Sequence, residues 1–408
     1  VPPGGPTPGV FLTRWVTHFC APAFVFLAGT SAYLAGERLP DRGALSRFLV
    51  TRGLWLVLLE LTLLRLAWTF NGDYRNFTFA GVIWAIGWCM VLLAALVRLP
   101  TPVIAAVGAV IVFGHNALDP VLPALRQAAS EQGWGWLLTL LYSSGGVFRL
   151  GGEGPQVVVL YSILPWIGVM ALGYAFGVVM RAPARTRDRF CLAAGLAAVG
   201  LFVILRATGV YGDPRPWNRT AGPARPAAAT PAPAPAPARP GAATPAATAP
   251  APPNAAPAAS SAPARPPQPR APAWIAFLNT AKSPASLLFL LMTLGPMLLL
   301  IPPRERRPAA GTEWLAVFGR VPFFYYVLHI PLIHLVAVAI ALVRTPGDVG
   351  WLVANHPMAP PPVPEGYRWS LPLLYVVTAA VVALLYPLCR WYAAFRRRHP
   401  DLRFLRYL

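Results

Sequence analysis

Apolar runs long enough to cross a bilayer recur along the chain, separated by short stretches rich in Arg, Pro and Gly. A hydrocarbon core about 30 Å thick needs roughly 20 mainly apolar residues per helix. Nine segments approach that length, at about 16–36, 54–70, 79–97, 103–118, 156–180, 190–207, 284–301, 321–343 and 371–389. The pattern predicts an all-α fold, a polytopic transmembrane helical bundle. It divides into six helices over 1–207, an extracytoplasmic loop over 208–283, three helices over 284–389 and a basic cytoplasmic tail over 390–408. Inside the loop, Pro214 to Pro272 is almost wholly Ala, Pro and Thr, the composition of a polyproline-like tether. The opening Pro/Gly run falls on the outer side, so a tenth helix is expected upstream of Val1. The segment 119–155 carries Trp134 and Trp136 and is expected to hold a short interfacial helix.

Composition supports the membrane class. With 56% hydrophobic and 12% charged residues and a mean hydropathy of +0.54, the 408-residue chain is not a soluble core. The net charge of +20 raises nucleic acid as a partner, but the basic residues fall in alternate loops. Placing 37–53 in the cytoplasm collects 19 basic residues inside, against six in the short outer segments. The charge is therefore mostly topology: an inner-membrane, multi-pass protein with a cytoplasmic C-terminus and no nucleic-acid partner. Cys20, Cys89, Cys191 and Cys389 show no metal-ligand spacing and read as packing residues, and no metal is expected.

Ionisable groups inside a bilayer are costly, so each needs a partner or a task. His115 and Asp119, four residues apart in GHNALD, would share a helix face, where a carboxylate beside an imidazole makes a general base. The alternative is a hydrogen-bonded helix end. Glu60 and Arg65 in LELTLLRLAW are expected to find partners on other helices, as a structural clamp or as substrate ligands. His329 and His334 flank Pro331, whose kink would open a cavity, and they line a path or bond neighbouring carbonyls. His18 is placed at the outer mouth of its span, level with His115 and Asp119. No HExxH, GxSxG, Walker or dinucleotide fingerprint is present.

The series TRWVTHFCAPAFVFLAGTSAYL, TRGLWLVLLELTLLRLAWTFN, VIWAIGWCMVLLAAL, GHNALD, LPWIGVMALGYAFG, LFVILRATGVYGDPRPW, KSPASLLFLLMTLGP, FGRVPFFYYVLHIPLIHL and LYPLCRWYA resembles the bacterial membrane proteins related to heparan-α-glucosaminide N-acetyltransferase. The resemblance implies a helical bundle that takes an acyl group from cytoplasmic acyl-coenzyme A, with acetyl-CoA the expected donor. The acceptor, typically a sugar amine, lies on the far side. Two features depart from the family. Its first, arginine-glycine helix has no match here, and in the lysosomal relative the acyl-accepting histidine precedes the helix matching Val16 to Gly36. Around Pro8 there is no histidine. KSPASL also stands where relatives are closer to Lys-Tyr-Pro-Pro-Ser.

On this reading Arg52, Arg185 and Arg320 receive the coenzyme A phosphates. His115 with Asp119, or His18, deprotonates the acceptor or carries the acyl group, and Glu60, Arg65, His329 and His334 contact substrate. Membrane lipid and a small-molecule or glycan acceptor are the expected partners, and a homo-oligomer is compatible with the pattern. A transporter or flippase of a polar or lipid-linked substrate is the alternative from another class, its His, Glu and Arg lining a path. A scaffold, in which the buried charges matter only for folding, is the third.

Overall fold

The computed structural model describes residues 7–142, 146–151, 154–214, 217, 272–302, 313–355, 362–367, 369–399 and 402. All nine expected segments contain helices, and the fold is a polytopic helical one. Six helices are long and apolar enough to cross a membrane: Pro8–Gly36, Thr101–Leu118, Ile163–Arg181, Ala184–Thr208, Pro322–Arg344 and Leu371–Arg398. Val82–Leu96 and Leu287–Leu299 are shorter apolar helices. The ninth is interrupted: α3 (Arg42–Leu59), a π-helical turn (Glu60–Leu64) and α4 (Arg65–Thr69).

The first span begins at Pro8 rather than near residue 16, and it breaks into α1 (Pro8–Thr17) and α2 (Cys20–Gly36). Pro22 has no N–H to donate to the carbonyl four residues back, that of His18, so the ladder fails there. The consequence corrects the sequence reading. With eight more helical residues, about two turns, on its N-terminal side, His18 lies well inside the apolar helical segment rather than at its end.

Two further expectations change at their N-terminal ends. Residues expected to open helices at 79 and 156 instead form β1 (Phe77–Ala80) and β3 (Gln156–Val159). With β2 (Gly146–Arg149) they make a sheet in the order β1-β3-β2. Phe77 pairs in parallel with Gln156, and Gly146 pairs antiparallel with Val159. Short apolar runs are the case in which hydropathy does not separate strand from buried helix. Helices α5 (Val82–Leu96) and α9 (Ile163–Arg181) start immediately beyond the strands, after Gly81 and Ser162. Where one short helix was expected in 119–155 there are two, α7 (Leu122–Glu131) and α8 (Gly135–Tyr142). The remaining helices are α6 (Thr101–Gly114), α10 (Ala184–Thr208), α11 (Ala273–Leu278), α12 (Leu287–Leu299), α13 (Glu313–Arg320), α14 (Pro322–Arg344) and α15 (Leu371–Arg398).

Helix α9 is the most buried of the spans and packs against α2, α5 and α6. Lipid offers no hydrophobic drive between helices, so close backbone approach at small residues supplies the contact. At Gly29 a Cβ would sit 2.1 Å from the Met170 carbonyl oxygen, and at Gly173 2.0 Å from that of Phe26. Thr30 Oγ1 donates to the Gly173 carbonyl across the same seam at 2.9 Å. Helices α3 and α5 meet in the same way at Gly53 and Gly87.

Candidate functional site

The π-helical turn places Glu60 where the bundle is tightest. Such turns insert an extra residue into a helix and are frequent at functional sites. Glu60 is fully buried, and its Oε2 accepts from the N–H groups of Ile83 at 2.8 Å and Trp84 at 3.1 Å. The carboxylate thereby caps the N-terminus of α5, where the helix dipole favours negative charge. Its other oxygen, Oε1, is buried without a hydrogen-bond partner among the described residues.

Around it the bundle gathers polar groups from distant parts of the chain. Tyr161, in the turn between β3 and α9, is pushed up to about 12 by burial and by the neighbouring Cys20 and Glu60. Tyr326, on α14, lies within electrostatic reach of Glu60 and Tyr161. His18 packs on Phe289 with ring centroids 5.5 Å apart, and it is an electrostatic neighbour of Lys282 and Arg14. Its ring forms no hydrogen bond among the described residues, and Nδ1 is buried without a partner. Lys282 Nζ stands 5.8 Å from the centre of the Tyr161 ring. The cluster thus joins His18 and Cys20 at the α1/α2 break, Glu60 at the π turn, Tyr161, Lys282 and Tyr326.

A buried clamp holds Lys282 in place. Arg206, near the end of α10, pairs with Asp213 at 3.0 Å, both side chains about 2% exposed. Its guanidinium also donates to the carbonyls of Phe277, Ala276 and Asn279, and Asp213 Oδ2 accepts from the Ala281 N–H. The pair therefore fixes the strand of chain from 276 to 281 that delivers Lys282. Neither partner was singled out by sequence reasoning, nor were Lys282, Tyr161 and Tyr326. One signal was available: Lys282 is the only lysine among the 34 basic residues.

The other expected site residues are distributed differently. His115 and Asp119 are not hydrogen-bonded to each other. Residues His115–Leu118 form a 3₁₀ turn, so a four-residue step rotates by about 120° instead of about 40°. Both ring nitrogens of His115 face carbonyl oxygens, those of Ile111 and Ala285, each at 2.9 Å. Asp119 instead accepts from Asn116 Nδ2 and from the Tyr142 hydroxyl, each at 2.8 Å, and Asn116 Oδ1 accepts from the Leu287 N–H. GHNALD is a joint between the ends of α6, α8 and α12.

Arg65 makes no ion pair with Glu60, and among the described residues its partners are loop groups rather than an acid on another helix. Its guanidinium donates to the carbonyls of Phe77, Asn71 and Asp73 and to Asn355 Oδ1, and it lies over the rings of Tyr74 and Phe77. It organises the loop 71–77. His329 Nδ1 contacts the Tyr326 carbonyl at 2.6 Å and stacks on Tyr325. His334 Nδ1 contacts the Trp68 carbonyl at the end of α4 and stacks on Phe70 at 4.1 Å.

Arg320 lines two adjoining cavities of about 550 and 620 Å³ between α13 and α15. Arg390, Arg396, Arg397 and Tyr386 complete their polar lining, with Glu313 at the rim. None of these four arginines forms an ion pair among the described residues. Arg52, on α3, and Arg185, at the start of α10, do not line these cavities.

Fold and site define a multi-pass helical membrane protein with a titratable cluster enclosed by its spans. Residues 6–207 match the family model described as heparan-alpha-glucosaminide N-acetyltransferase, catalytic, and the chain belongs to that family of membrane acetyltransferases. Neither the curated proteins nor the solved structures contain a match to the chain. The matched region carries His18, Glu60 and Tyr161, whereas Asp213, Lys282 and Tyr326 lie beyond it.

Proposed function

We propose that the protein moves an acetyl group from acetyl-CoA on the cytoplasmic side to an amine or hydroxyl, in the first instance of a sugar, presented from the outer side. The observation that carries this reading is the buried ring of His18, without a hydrogen bond among the described residues, beside Lys282; His18 itself lies in the region matched to an acetyltransferase family. An imidazole with a free lone pair is a competent nucleophile toward a thioester. A ring nitrogen of His18 bonds to the acyl carbon, the carbon–sulfur bond breaks, and the proton of the other ring nitrogen leaves with the thiolate. The acceptor then displaces the imidazole.

Arg320, with Arg390, Arg396 and Arg397, receives the coenzyme A phosphates by charge-assisted, fork-shaped hydrogen bonds. Tyr326, a neighbour of Glu60 and Tyr161, lies about one turn into α14, the helix that starts at Pro322 just beyond Arg320. The acyl arm would run up α14 from the arginines to the cluster. Glu60, which caps α5, and His115, Asp119, Arg65, His329 and His334 position the walls of the chamber.

The test is turnover by the purified full-length protein in lipid nanodiscs. Thiol release from acetyl-CoA should rise on adding glucosamine or a related amine, and His18→Ala should abolish it while leaving the folded fraction intact. Full turnover in His18→Ala would remove His18 from the mechanism. Substrate flux without thioester consumption would replace the reading by transport.

A further inference from the structure

Arginine is this chain's default cation. Thirty-three of its 34 basic residues are arginines, including the buried Arg65 and Arg206, where a fixed positive charge is what the surroundings use. A guanidinium supplies charge and directed donors but does not lose its proton in proteins, whereas an amine can be neutral and can take up a proton. A position that needed charge alone would be met by arginine here as elsewhere. The single lysine is placed where a titratable amine has something to act on.

Its surroundings are those of a group that exchanges protons. The Arg206–Asp213 clamp fixes the backbone up to Ala281, so Lys282 does not swing freely. The charged and titratable groups facing it are Arg14 on α1, His18 and Cys20 at the α1/α2 break, and Tyr161 after β3. No carboxylate is paired with Lys282 among the described residues. Burial and the Arg14 charge hold the amine below the ordinary lysine value, while the face of Tyr161 at 5.8 Å favours the ammonium modestly. Both protonation states are therefore within reach beside a histidine whose ring is unpartnered.

We propose that Lys282 is the proton relay of the acyl-transfer site. As the acceptor attacks the acyl carbon held on His18, the neutral amine takes the proton that the acceptor nitrogen or oxygen loses. It then returns that proton to the ring nitrogen of His18 as the carbon–nitrogen bond to the ring breaks. Lys282 ends the cycle as it began, the product is the acetylated acceptor, and no further reactant is consumed. This role rests on the acyltransfer reading above.

The experiment uses the full chain in nanodiscs, wild type against Lys282→Arg and Lys282→Ala, with acetyl-CoA as donor. Acetyl-enzyme formation is followed by intact mass, and transfer is followed to glucosamine and to hydroxylamine, an amine already deprotonated at neutral pH. Both variants should form acetyl-enzyme at the wild-type rate and lose about 100-fold or more in transfer to glucosamine, the scale of general base catalysis. Hydroxylamine should restore most of the loss. Because Lys282 is the only lysine, pH-dependent labelling with an amine-reactive reagent, read on its peptide, should give a midpoint below that of free lysine. Lys282→Arg at wild-type transfer rate, or an ordinary midpoint, would overturn the relay and leave the acyltransfer reading standing. Absence of thioester turnover in the wild type would remove both.

Discussion

A Cβ on Gly81 would lie 2.5 Å from Oε1 of Glu60, the carboxylate oxygen that has no hydrogen-bond partner among the described residues. The glycine is thus a cradle for the carboxylate, and Gly81→Ala should displace Glu60 from the N-terminus of α5. Overpacking of this kind costs about 1–3 kcal/mol. Glu60→Ala fails differently: the N–H groups of Ile83 and Trp84 lose their acceptor, again at about 1–3 kcal/mol. Thermal unfolding in detergent should show both losses, with Glu60→Gln the mildest of the three because one oxygen acceptor survives. Equal melting of Gly81→Ala and the wild type would mean that the carboxylate has room to move aside.

The two histidines nearest the segment 285–289 should part company on mutation. His115 bridges the carbonyls of Ile111 and Ala285, so His115→Ala should lower stability by about 1–3 kcal/mol while donor binding persists. His18 has no hydrogen bond to lose among the described residues, so His18→Ala should melt close to the wild type and fail in turnover. Turnover rates normalised to folded protein separate the two. The reverse pattern would return the catalytic role to the His115 region.

This division marks how far the sequence could be read. The polytopic helical class and the polar residues within apolar helices were visible because hydropathy and charge are written directly in residue type. The pairing of His115 with Asp119 was not, since it assumed an α-helical step through residues that form a 3₁₀ turn. The depth of His18 was misplaced because a membrane-length window starting near residue 16 ignored the helix from Pro8. Arg206, Asp213, Tyr161 and Lys282 come together only through long-range packing, which no local pattern encodes. The lysine's singularity was in the composition throughout.

Breaking the Arg206–Asp213 pair should be the most damaging change away from the spans' apolar faces. Both side chains are about 2% exposed, and removing one partner of a buried ion pair costs about 3–5 kcal/mol because the other charge is left behind. Asp213→Ala should therefore destabilise strongly, and it should also release the segment 276–281 that carries Lys282. Hydrogen exchange over 276–286 should rise in Asp213→Asn even where the bundle remains folded. Unchanged protection there would show that α11 is held by other contacts.

The loop 71–77 should be acid-sensitive. The Asp73 carboxylate accepts from the Arg75 N–H at 2.9 Å and from Asn76 Nδ2 at 3.0 Å, and the Arg75 N–H, with the Arg75 guanidinium beside it, holds the carboxyl below the ordinary value of 3.8. A depressed carboxylate contributes stability that is fully present above 3.8 and is lost as the pH falls through the lower folded value. Protease cleavage within 71–77 should thus be slow at pH 6 and accelerate below pH 3.8, and Asp73→Asn should remove that dependence. A loop cleaved equally at both pH values would mean that Arg65, not Asp73, sets its order.

The arginines at the α13/α15 cavities give the prediction on which the donor assignment turns. Arg320, Arg390, Arg396 and Arg397 converge on adjoining cavities with no acid paired to them among the described residues, so a phosphate-bearing ligand would gain their full pairing. Each hydrogen bond to a charged group is worth about 1.5–3 kcal/mol, or roughly 10- to 150-fold in affinity. Arg320→Ala and Arg397→Ala, the two arginines shared by both cavities, should each weaken acetyl-CoA binding by at least about tenfold. They should leave the cluster around His18 and the melting temperature unchanged. Desulfo-CoA keeps the phosphates and should report the same losses, whereas acetyl-pantetheine, which lacks the diphosphate, should bind wild type and variants alike. If acetyl-pantetheine binding falls in step with acetyl-CoA, the arginines hold the fold rather than the phosphates.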